Sequence, residues 1–214
     1  MSAYRIKADL QLEKGFSSKF KAQIELEINR KISRSIFKVT QSMEFAIQNL
    51  VRAKLNQSPT VNELSGGRLR AELGLVDGAA RISNIINTWA ESIEVKYVKK
   101  LSTFGGIVVS MQSYDYSNVL SMPEAEFVTE KGVVLEWLRW LLLEGSGRII
   151  SNHFFKPTPR GRTGGGIMVE RQTSSWSVPK NHAGTSSDNF ATRALEGIQD
   201  EIDVIVRREM TKVV

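Results

Sequence analysis

The chain contains no cysteine. Disulfides, thiolate nucleophiles and cysteine-ligated zinc or iron–sulfur sites are therefore excluded. Only two histidines occur, and neither stands in a metal-ligand spacing. We expect His153, beside Phe154 and Phe155, to be a partly buried strand residue and His182, in a loop of Gly, Ser and Asn, to lie on the surface. The sequence also lacks a G-x-S-x-G motif and paired carboxylates within one short motif. These absences favour a protein that is not an enzyme and that binds no metal and no cofactor.

Long apolar runs are also missing. The longest is Val133–Leu143, which is too short to span a bilayer and is interrupted by Glu136 and Arg139. Residues 1–20 alternate charged and apolar side chains and have no apolar core of the kind that a signal peptide carries. Because 41% of the 214 residues are hydrophobic, we expect a soluble protein with a substantial core and no membrane partner.

Positive charge is in excess, but it is unevenly distributed along the chain. Residues 1–60 carry 11 basic and 5 acidic side chains, and residues 145–185 carry 6 basic and 1 acidic, whereas the other segments are net negative. Such a basic patch fits either nucleic acid or an acidic protein surface, and composition does not choose between them.

The strongest periodic signal lies in the first quarter of the chain. Apolar residues recur there at steps of three or four: Phe20, Ile24, Ile28, Ile32, Ile36, Val39, Met43, Ile47 and Leu50. This pattern predicts one amphipathic helix over about residues 18–57, which Pro59 ends. A helix this long either crosses its own domain as a core helix or continues its apolar stripe into a neighbour. On the second interpretation, Ile28, Ile32, Ile36 and Met43 pack against other subunits.

The remaining pattern predicts an α+β fold in a single domain, residues 1–214. We expect a long N-terminal helix, a small, twisted and mostly antiparallel sheet with a long flexible hairpin loop, and a C-terminal helix packed on the sheet. The predicted strands are residues 4–12, 93–98, 107–111, 149–155 and 167–170. The predicted helices after the first are a short one within 60–74, then 75–92, 133–143 and 188–212, with loops at 113–132 and 174–187.

A basic segment stands out near residue 160. Residues 156–166 read KPTPRGRTGGG, with two prolines, four glycines and three cations, which predicts an exposed flexible loop. A solvated loop, a contact with an acidic protein ring and a contact with DNA phosphates all remain open. The three glycines lack a Walker lysine and precede a strand, so they are not typical of a phosphate cradle. Trp176 lies in the next predicted loop, where a tryptophan often anchors on a partner. The candidate partner-docking residues are Lys156, Arg160, Arg162, Gly164, Gly165, Gly166 and Trp176.

Several phrases occur in a particular order along the chain. They are Ser58-Pro59-Thr60, GRLRAEL at 67–73, Trp137-Leu138, LLEG at 142–145, GRTG at 161–164 before Ile167-Met168-Val169, WSVP at 176–179, Gly184-Thr185 and DNFATRAL at 188–195. Together they resemble the neck, or tail-completion, proteins of tailed bacteriophages. Two departures, Asn189 where the family often has proline and the added helix at 75–92, leave open the position within the neck.

The resemblance implies a ring of identical subunits at the head–tail junction of the virion, assembled in the host cytoplasm. Such a ring would contact portal or adaptor proteins on one side and tail-terminator or tail proteins on the other. It would line the channel through which packaged DNA passes, touch that DNA without sequence preference and bind no small-molecule substrate. Phe190 and Arg193, at the start of the final helix, would join the subunit-packing set. The alternatives are a tail terminator or other virion structural protein, and a nucleic-acid-binding module that uses the basic loop.

Overall fold

The structure is a computed structural model that describes residues 18–98, 106–110, 116–129, 131–145 and 148–212. Within those ranges, the side chains of residues 18–22, 25, 28–29, 31–34 and 148–149 are not described. The strand predicted over residues 4–12 therefore lies outside the described residues. The described chain is α+β, as the sequence predicted.

The elements follow in this order. The helices are α1 Ser18–Asn56, α2 Pro59–Gly66, α3 Arg68–Glu72, α4 Gly78–Glu91, α5 Ser117–Leu120, α6 Trp137–Leu142, α7 Phe190–Ala194 and α8 Ile198–Met210, with a 3-10 turn at Pro123–Ala125. The strands are β1 Glu94–Val98, β2 Gly106–Ser110, β3 Phe127–Val128, β4 Val134–Leu135, β5 Arg148–Pro157 and β6 Gly166–Ser177.

Helix α1 confirms the prediction of a single long helix, which now has 39 residues. No glycine or proline interrupts it, so every backbone N–H after the first turn has its helical acceptor. Pro59 stands at the first position of α2, where a missing N–H costs nothing because that group has no partner in a helix anyway. The extended backbone of Ser58 separates the two helices.

The chain divides into two compact units. Unit 1 comprises residues 1–50, 92–112 and 197–214, and its described elements are the first part of α1, the β1–β2 hairpin and α8. Unit 2 comprises residues 51–91 and 113–196 and holds the other described elements. The single domain predicted over residues 1–214 stays a prediction.

The described strands form three separate antiparallel pairs, β1–β2, β3–β4 and β5–β6, where the sequence predicted one sheet. Each pair joins strands that are consecutive in the chain, so each is a local hairpin closed by its own connection. The predicted hairpin of strands 93–98 and 107–111 is confirmed, with Val95 opposite Val109. The predicted loop at 113–132 instead contains α5, the 3-10 turn and β3. The predicted helix at 133–143 is shortened to α6 because Val134 lies in β4, where it pairs with Val128 of β3.

The predicted C-terminal helix over residues 188–212 is two helices, α7 and α8. Gly197 lies between them with φ +72°, a left-handed conformation that a continuing helix does not allow. Asn189 caps α7 by accepting from the backbone N–H groups of Ala191 and Thr192 at 3.0 and 3.1 Å. In unit 1 the Ser42 hydroxyl donates to Glu209 at 2.7 Å, which joins α8 to α1. Packing of the C-terminal helix on a sheet stays a prediction.

Unit 2 has an aromatic core formed by residues of α4, α6 and α7. Trp137 and Phe190 are fully buried, and the ring of Trp89 meets that of Phe190 edge-on with centroids 6.1 Å apart. Helix α3 lies beside β6 in the same unit. This arrangement sets the surface against which the basic segment lies.

Candidate interaction surface

The basic segment 156–166 connects β5 and β6 as the tip of a hairpin, and most of its residues are exposed, as the sequence predicted; its flexibility stays a prediction. Its two ends extend the strands, since Lys156 pairs with Ile167 and Pro157 with Gly166. A tight turn closes the tip, where the Gly164 N–H donates to the Gly161 carbonyl at 2.8 Å. The strand pairs at its two ends and the turn at its tip satisfy backbone groups that would otherwise be left to water.

Two arginines fasten the tip to the rest of unit 2. The Arg70 guanidinium on α3 donates to the Thr163 carbonyl at 2.8 Å, and Thr163 is buried. Arg162 donates to the Gly74 carbonyl at 3.2 Å, and its guanidinium carbon lies 4.8 Å from the centroid of the Phe127 ring, a cation–π distance. We call these contacts the tip clamp. Arg162, predicted to dock a partner, is therefore engaged within its own unit.

The glycines of this segment permit close packing. A Cβ on Gly165 would lie 2.6 Å from the Cβ of Ala71 on α3, closer than two carbon atoms approach. Gly164 takes a left-handed conformation with φ +74°, which the turn at the tip requires. Gly166 begins β6 and is buried. These three residues, predicted to dock a partner, thus have a structural reason to be glycine in the chain itself.

Other cations of the hairpin face outward. Lys156, Arg160 and Arg171 are exposed, and Arg171 lies over the Phe154 ring at 5.9 Å. Within the described residues, Lys156 and Arg160 form no ion pair. They are therefore the members of the predicted docking set that remain available to an anionic partner.

The sequence predicted Trp176 in a loop, but it lies near the end of β6. Only 7% of its surface is exposed. Its indole N–H donates to Glu72 Oε2 at 3.3 Å, and the other carboxylate oxygen of Glu72 accepts from Arg68 at 2.7 Å. The tryptophan satisfies a buried carboxylate, and this contact explains its position. The surface of Trp176 is therefore covered by its own chain, which leaves little of it to contact a partner.

The predicted subunit-packing residues fall into three groups. Ile36, Met43 and Phe190 are buried within the chain, so their apolar surface is already covered. The side chains of Ile28 and Ile32 lie outside the description. Arg193 is exposed, and its guanidinium donates to Asp188 at 2.6 Å and to the Ala183 carbonyl at 3.2 Å. The hydrogen bond between the two side chains lowers the pKa of Asp188 and raises the pKa of Arg193.

Sequence reasoning missed a set of exposed apolar side chains on α1. Leu26, Phe37 and Phe45 are 72%, 67% and 65% exposed. The signal was present in the sequence, because Phe37 and Phe45 do not belong to the stripe of apolar residues that recur at steps of three or four. Large apolar residues outside a core stripe are candidates for contact with a partner.

A groove lies between α1 and β1 in unit 1. Its walls are Ile36, Phe37, Thr40, Gln41 and Glu44 from α1 and Val95, Lys96, Tyr97 and Val98 from β1. Glu44 Oε2 accepts from the Val95 N–H at 3.0 Å, and the Gln48 side-chain amide donates to the Ile93 carbonyl at 3.4 Å. These two residues, four apart on α1, hold the first part of β1 along the helix.

His182 is buried, contrary to the prediction of a surface residue. Its Nδ1 lies 2.9 Å from Thr60 Oγ1 and its Nε2 lies 2.9 Å from the Asn181 side-chain nitrogen. Burial lowers the pKa of this imidazole, which favours the neutral ring. With Asn181 donating to Nε2, the proton on Nδ1 is donated to Thr60. His182 therefore joins α2 to the segment that precedes α7.

Within the described residues, no cluster of three or more His, Asp or Glu side chains is arranged to hold a metal ion. Among the helices described, none is both long and apolar enough to cross a membrane. Comparison of the chain with protein-family models, with curated proteins and with solved structures finds no match in any of the three.

Proposed function

We propose that this chain is a structural virion protein of a tailed bacteriophage, not an enzyme, that forms a ring of identical subunits in the neck. The ring joins the DNA-filled head to the tail and lines the DNA channel. The ordered phrases from Ser58 to Leu195 support this proposal through their resemblance to neck proteins. The surface of α1 supports it on physical grounds.

The observation that carries the proposal is the exposed apolar surface of α1. Each of Phe37 and Phe45 leaves on the order of 100 Å² of ring in water, given its exposure and the size of a phenylalanine side chain. At ~25 cal/mol per Å², covering one such ring contributes roughly 2.5 kcal/mol. Several such contacts per subunit, repeated around a closed ring, supply the association energy that an assembly of identical copies needs.

The β5–β6 hairpin gives the ring a basic surface for its neighbours. Lys156 and Arg160 are exposed near the tip, while the tip clamp holds the backbone of the segment in place. A positioned basic hairpin pays little ordering entropy on docking, so it suits an acidic surface on an adjacent ring. In this proposal the docking residues of the segment are its two exposed cations, Lys156 and Arg160.

Disruption of the gene in a phage that encodes the chain tests the proposal. We expect lysates that contain DNA-filled heads and separate tails, and addition of the purified chain should restore joined, infectious particles. A matched addition of heat-unfolded chain controls for non-specific effects. Joined particles in normal yield without the protein would overturn the proposal.

A second candidate function, a nucleic-acid-binding module, is favoured by one observation. Lys156, Arg160 and Arg171 all face outward on one hairpin, and neutralising DNA phosphates with such cations releases counterions. This function predicts binding of naked duplex DNA that weakens steeply with salt. It differs from the first candidate in needing no second copy of the chain.

A further inference from the structure

The outer side of the β3–β4 hairpin combines apolar and acidic side chains. Val128 and Val134 are cross-strand partners on one side of the hairpin, and they are 54% and 50% exposed. Glu126 has extended backbone two residues before Val128, so its side chain lies on the same side. Glu136 follows Val134 by two residues, and both glutamates are exposed. We call these four residues the acidic face.

The β5–β6 hairpin carries an outward side of the opposite charge. Two cross-strand pairs share this side, namely Lys156 with Ile167 and Phe154 with Val169. Ile167 is 42% exposed, and Lys156 is exposed as well. The exposed Arg171 belongs to the same side, because its guanidinium carbon lies 5.9 Å from the centroid of the Phe154 ring. We call these five residues the basic face.

Unit 2 itself covers the inner sides of both hairpins. Phe127, which alternates with Val128, lies under the Arg162 guanidinium at 4.8 Å. Phe155, which alternates with Phe154, is buried and lies under the Arg68 guanidinium at 5.5 Å. The acidic and basic faces are therefore the sides of the two hairpins that the chain leaves open.

The charges of the two faces have no partners of their own. Within the described residues, Glu126 and Glu136 form no ion pair, and the same holds for Lys156 and Arg171. Each face thus offers exposed apolar side chains on a two-stranded ribbon, with unpaired charges of one sign beside them. Because the signs are opposite, each face complements the other.

Complementary faces at two different places on one chain produce a head-to-tail contact. Such a contact repeats from copy to copy, and it closes into a ring where the rotation between copies allows. We propose that the acidic face of one copy of this chain packs on the basic face of the next copy. This inference rests on the proposed function, since the ring supplies the neighbouring copy.

The size of the contact determines its role. The two faces together expose on the order of 300 Å² of apolar surface, well below the roughly 800 Å² that each partner buries in a standard interface. Two copies joined by this contact alone are therefore held weakly. Opposite charges chiefly select the partner surface and its orientation, while the exposed phenylalanines of α1 contribute further apolar area.

Disulfide trapping detects such a weak contact, and the chain has no cysteine of its own. One preparation carries Ile167→Cys, and a second, with a tag that makes its mass distinct, carries Val128→Cys. Equal amounts are mixed, oxidised and separated without reductant. We expect a mixed disulfide-linked dimer. Val134→Cys probes the acidic face independently, because Val134 is the cross-strand partner of Val128.

Val76→Cys is the matched control for the trapping. Val76 is 50% exposed, lies in the same unit and belongs to neither face. With the Ile167→Cys chain it should give about tenfold less mixed dimer, since no complementary face holds it in place. Yields from both Val128→Cys and Val134→Cys that are no higher than this control would overturn the proposal.

Exchange of the charges tests whether the two faces pair directly. Lys156→Glu with Arg171→Glu, in the chain with the basic-face cysteine, should lower the trapped dimer about tenfold, because like charges then meet. Glu126→Lys with Glu136→Lys, in the chain with the acidic-face cysteine, should do the same. Mixed with each other, the two exchanged chains should recover the parent yield. Circular dichroism checks that each chain is folded.

A failure of the exchanged pair to recover the yield would overturn the proposal, because the basic face would then bind something other than the acidic face. The outcomes also separate this contact from the proposed function. If particle joining needs the protein but no mixed dimer is trapped, the contact is wrong and the neck function stands. If the mixed dimer forms and particles join normally without the protein, the neck function is wrong and the contact stands.

Discussion

Glu209 on α8 provides the sharpest prediction about stability. The carboxylate is 2% exposed, and it accepts hydrogen bonds from Lys212 at 2.6 Å, Ser42 at 2.7 Å and Arg208 at 3.1 Å. The bonds from Lys212 and Ser42 are the main reasons that the pKa of Glu209 falls from 4.5 to about 2. The perturbation is Glu209→Gln, which keeps the shape of the side chain and removes its charge.

The pKa of Glu209 sets the expected free energy. The fall in pKa from 4.5 to about 2 corresponds to a ceiling of roughly 3.4 kcal/mol of stabilisation. Lys212 and Arg208 have side chains that are 57% and 59% exposed, so solvent screens much of their attraction. We therefore expect Glu209→Gln to lower the free energy of unfolding by about 1–2 kcal/mol at pH 7.

The dependence on pH has a definite sign. The pKa of Glu209 is lower in the folded chain than in the unfolded one, so its contribution is fully present above about pH 4.5 and declines as pH falls toward 2. About two-fifths of it should remain at pH 3 by this linkage. Urea unfolding of both proteins between pH 7 and pH 3, followed by circular dichroism, measures the difference.

Asp203→Asn is the matched control for this experiment, since it removes one negative charge from the same helix. Asp203 forms no ion pair or side-chain hydrogen bond within the described residues, so we expect a change below about 0.5 kcal/mol. A difference between Glu209→Gln and the parent chain that stays constant from pH 7 to pH 3 would refute the reasoning. A control effect as large as that of Glu209→Gln would refute it equally.

Three further predictions concern unit 2. Arg70→Met removes the hydrogen bond to the hairpin tip, so trypsin should cut after Arg160 at least fivefold faster in the variant, and an unchanged rate would contradict the tip clamp. Trp176→Phe leaves the buried carboxylate of Glu72 with one donor fewer and should cost about 1–3 kcal/mol in thermal or urea unfolding; a cost near zero would show that this bond is immaterial. If the chain binds duplex DNA, Lys156→Ala with Arg160→Ala should reduce the slope of log affinity against log salt by about 2, measured by fluorescence anisotropy, and an unchanged slope would exclude these two cations from the contact.

The parts of the fold that the sequence predicted well are governed by local patterns. Helix α1 was located within one residue at each end because its apolar stripe is uninterrupted and Pro59 follows it. The β1–β2 hairpin followed from β-branched residues on both sides of a glycine pair. In both cases neighbouring residues determine the structure, so no distant contact is needed to infer it.

The parts that were missed depend on distant residues. Buried Trp176 donates a hydrogen bond from its indole N–H to Glu72, which is 104 positions away in the sequence. No local pattern carries that information. The hairpin tip is held by Arg70, 93 positions from Thr163. The helix predicted over residues 188–212 is interrupted at Gly197, whose left-handed conformation separates α7 from α8.

The candidate site shows the same division. Lys156 and Arg160 were identified from composition and do lie on the surface. The apolar surface of α1 was expected along its stripe. The described stripe residues Ile36, Val39, Met43 and Ile47 are buried, and the large exposed side chains are Leu26, Phe37 and Phe45, which lie outside the stripe. Periodicity identifies the face of a helix that packs against the rest of its own chain. Large apolar residues outside that face then indicate which surface is available to a partner.

The location of the protein in a phage particle tests the central claim most directly. Gold-labelled antibody raised against the purified chain should bind particles of the encoding phage at the junction between head and tail, with tailless heads and free tails as internal references. Gold at that junction is the predicted result. Unlabelled particles, or gold spread evenly over capsid and tail, would contradict the account.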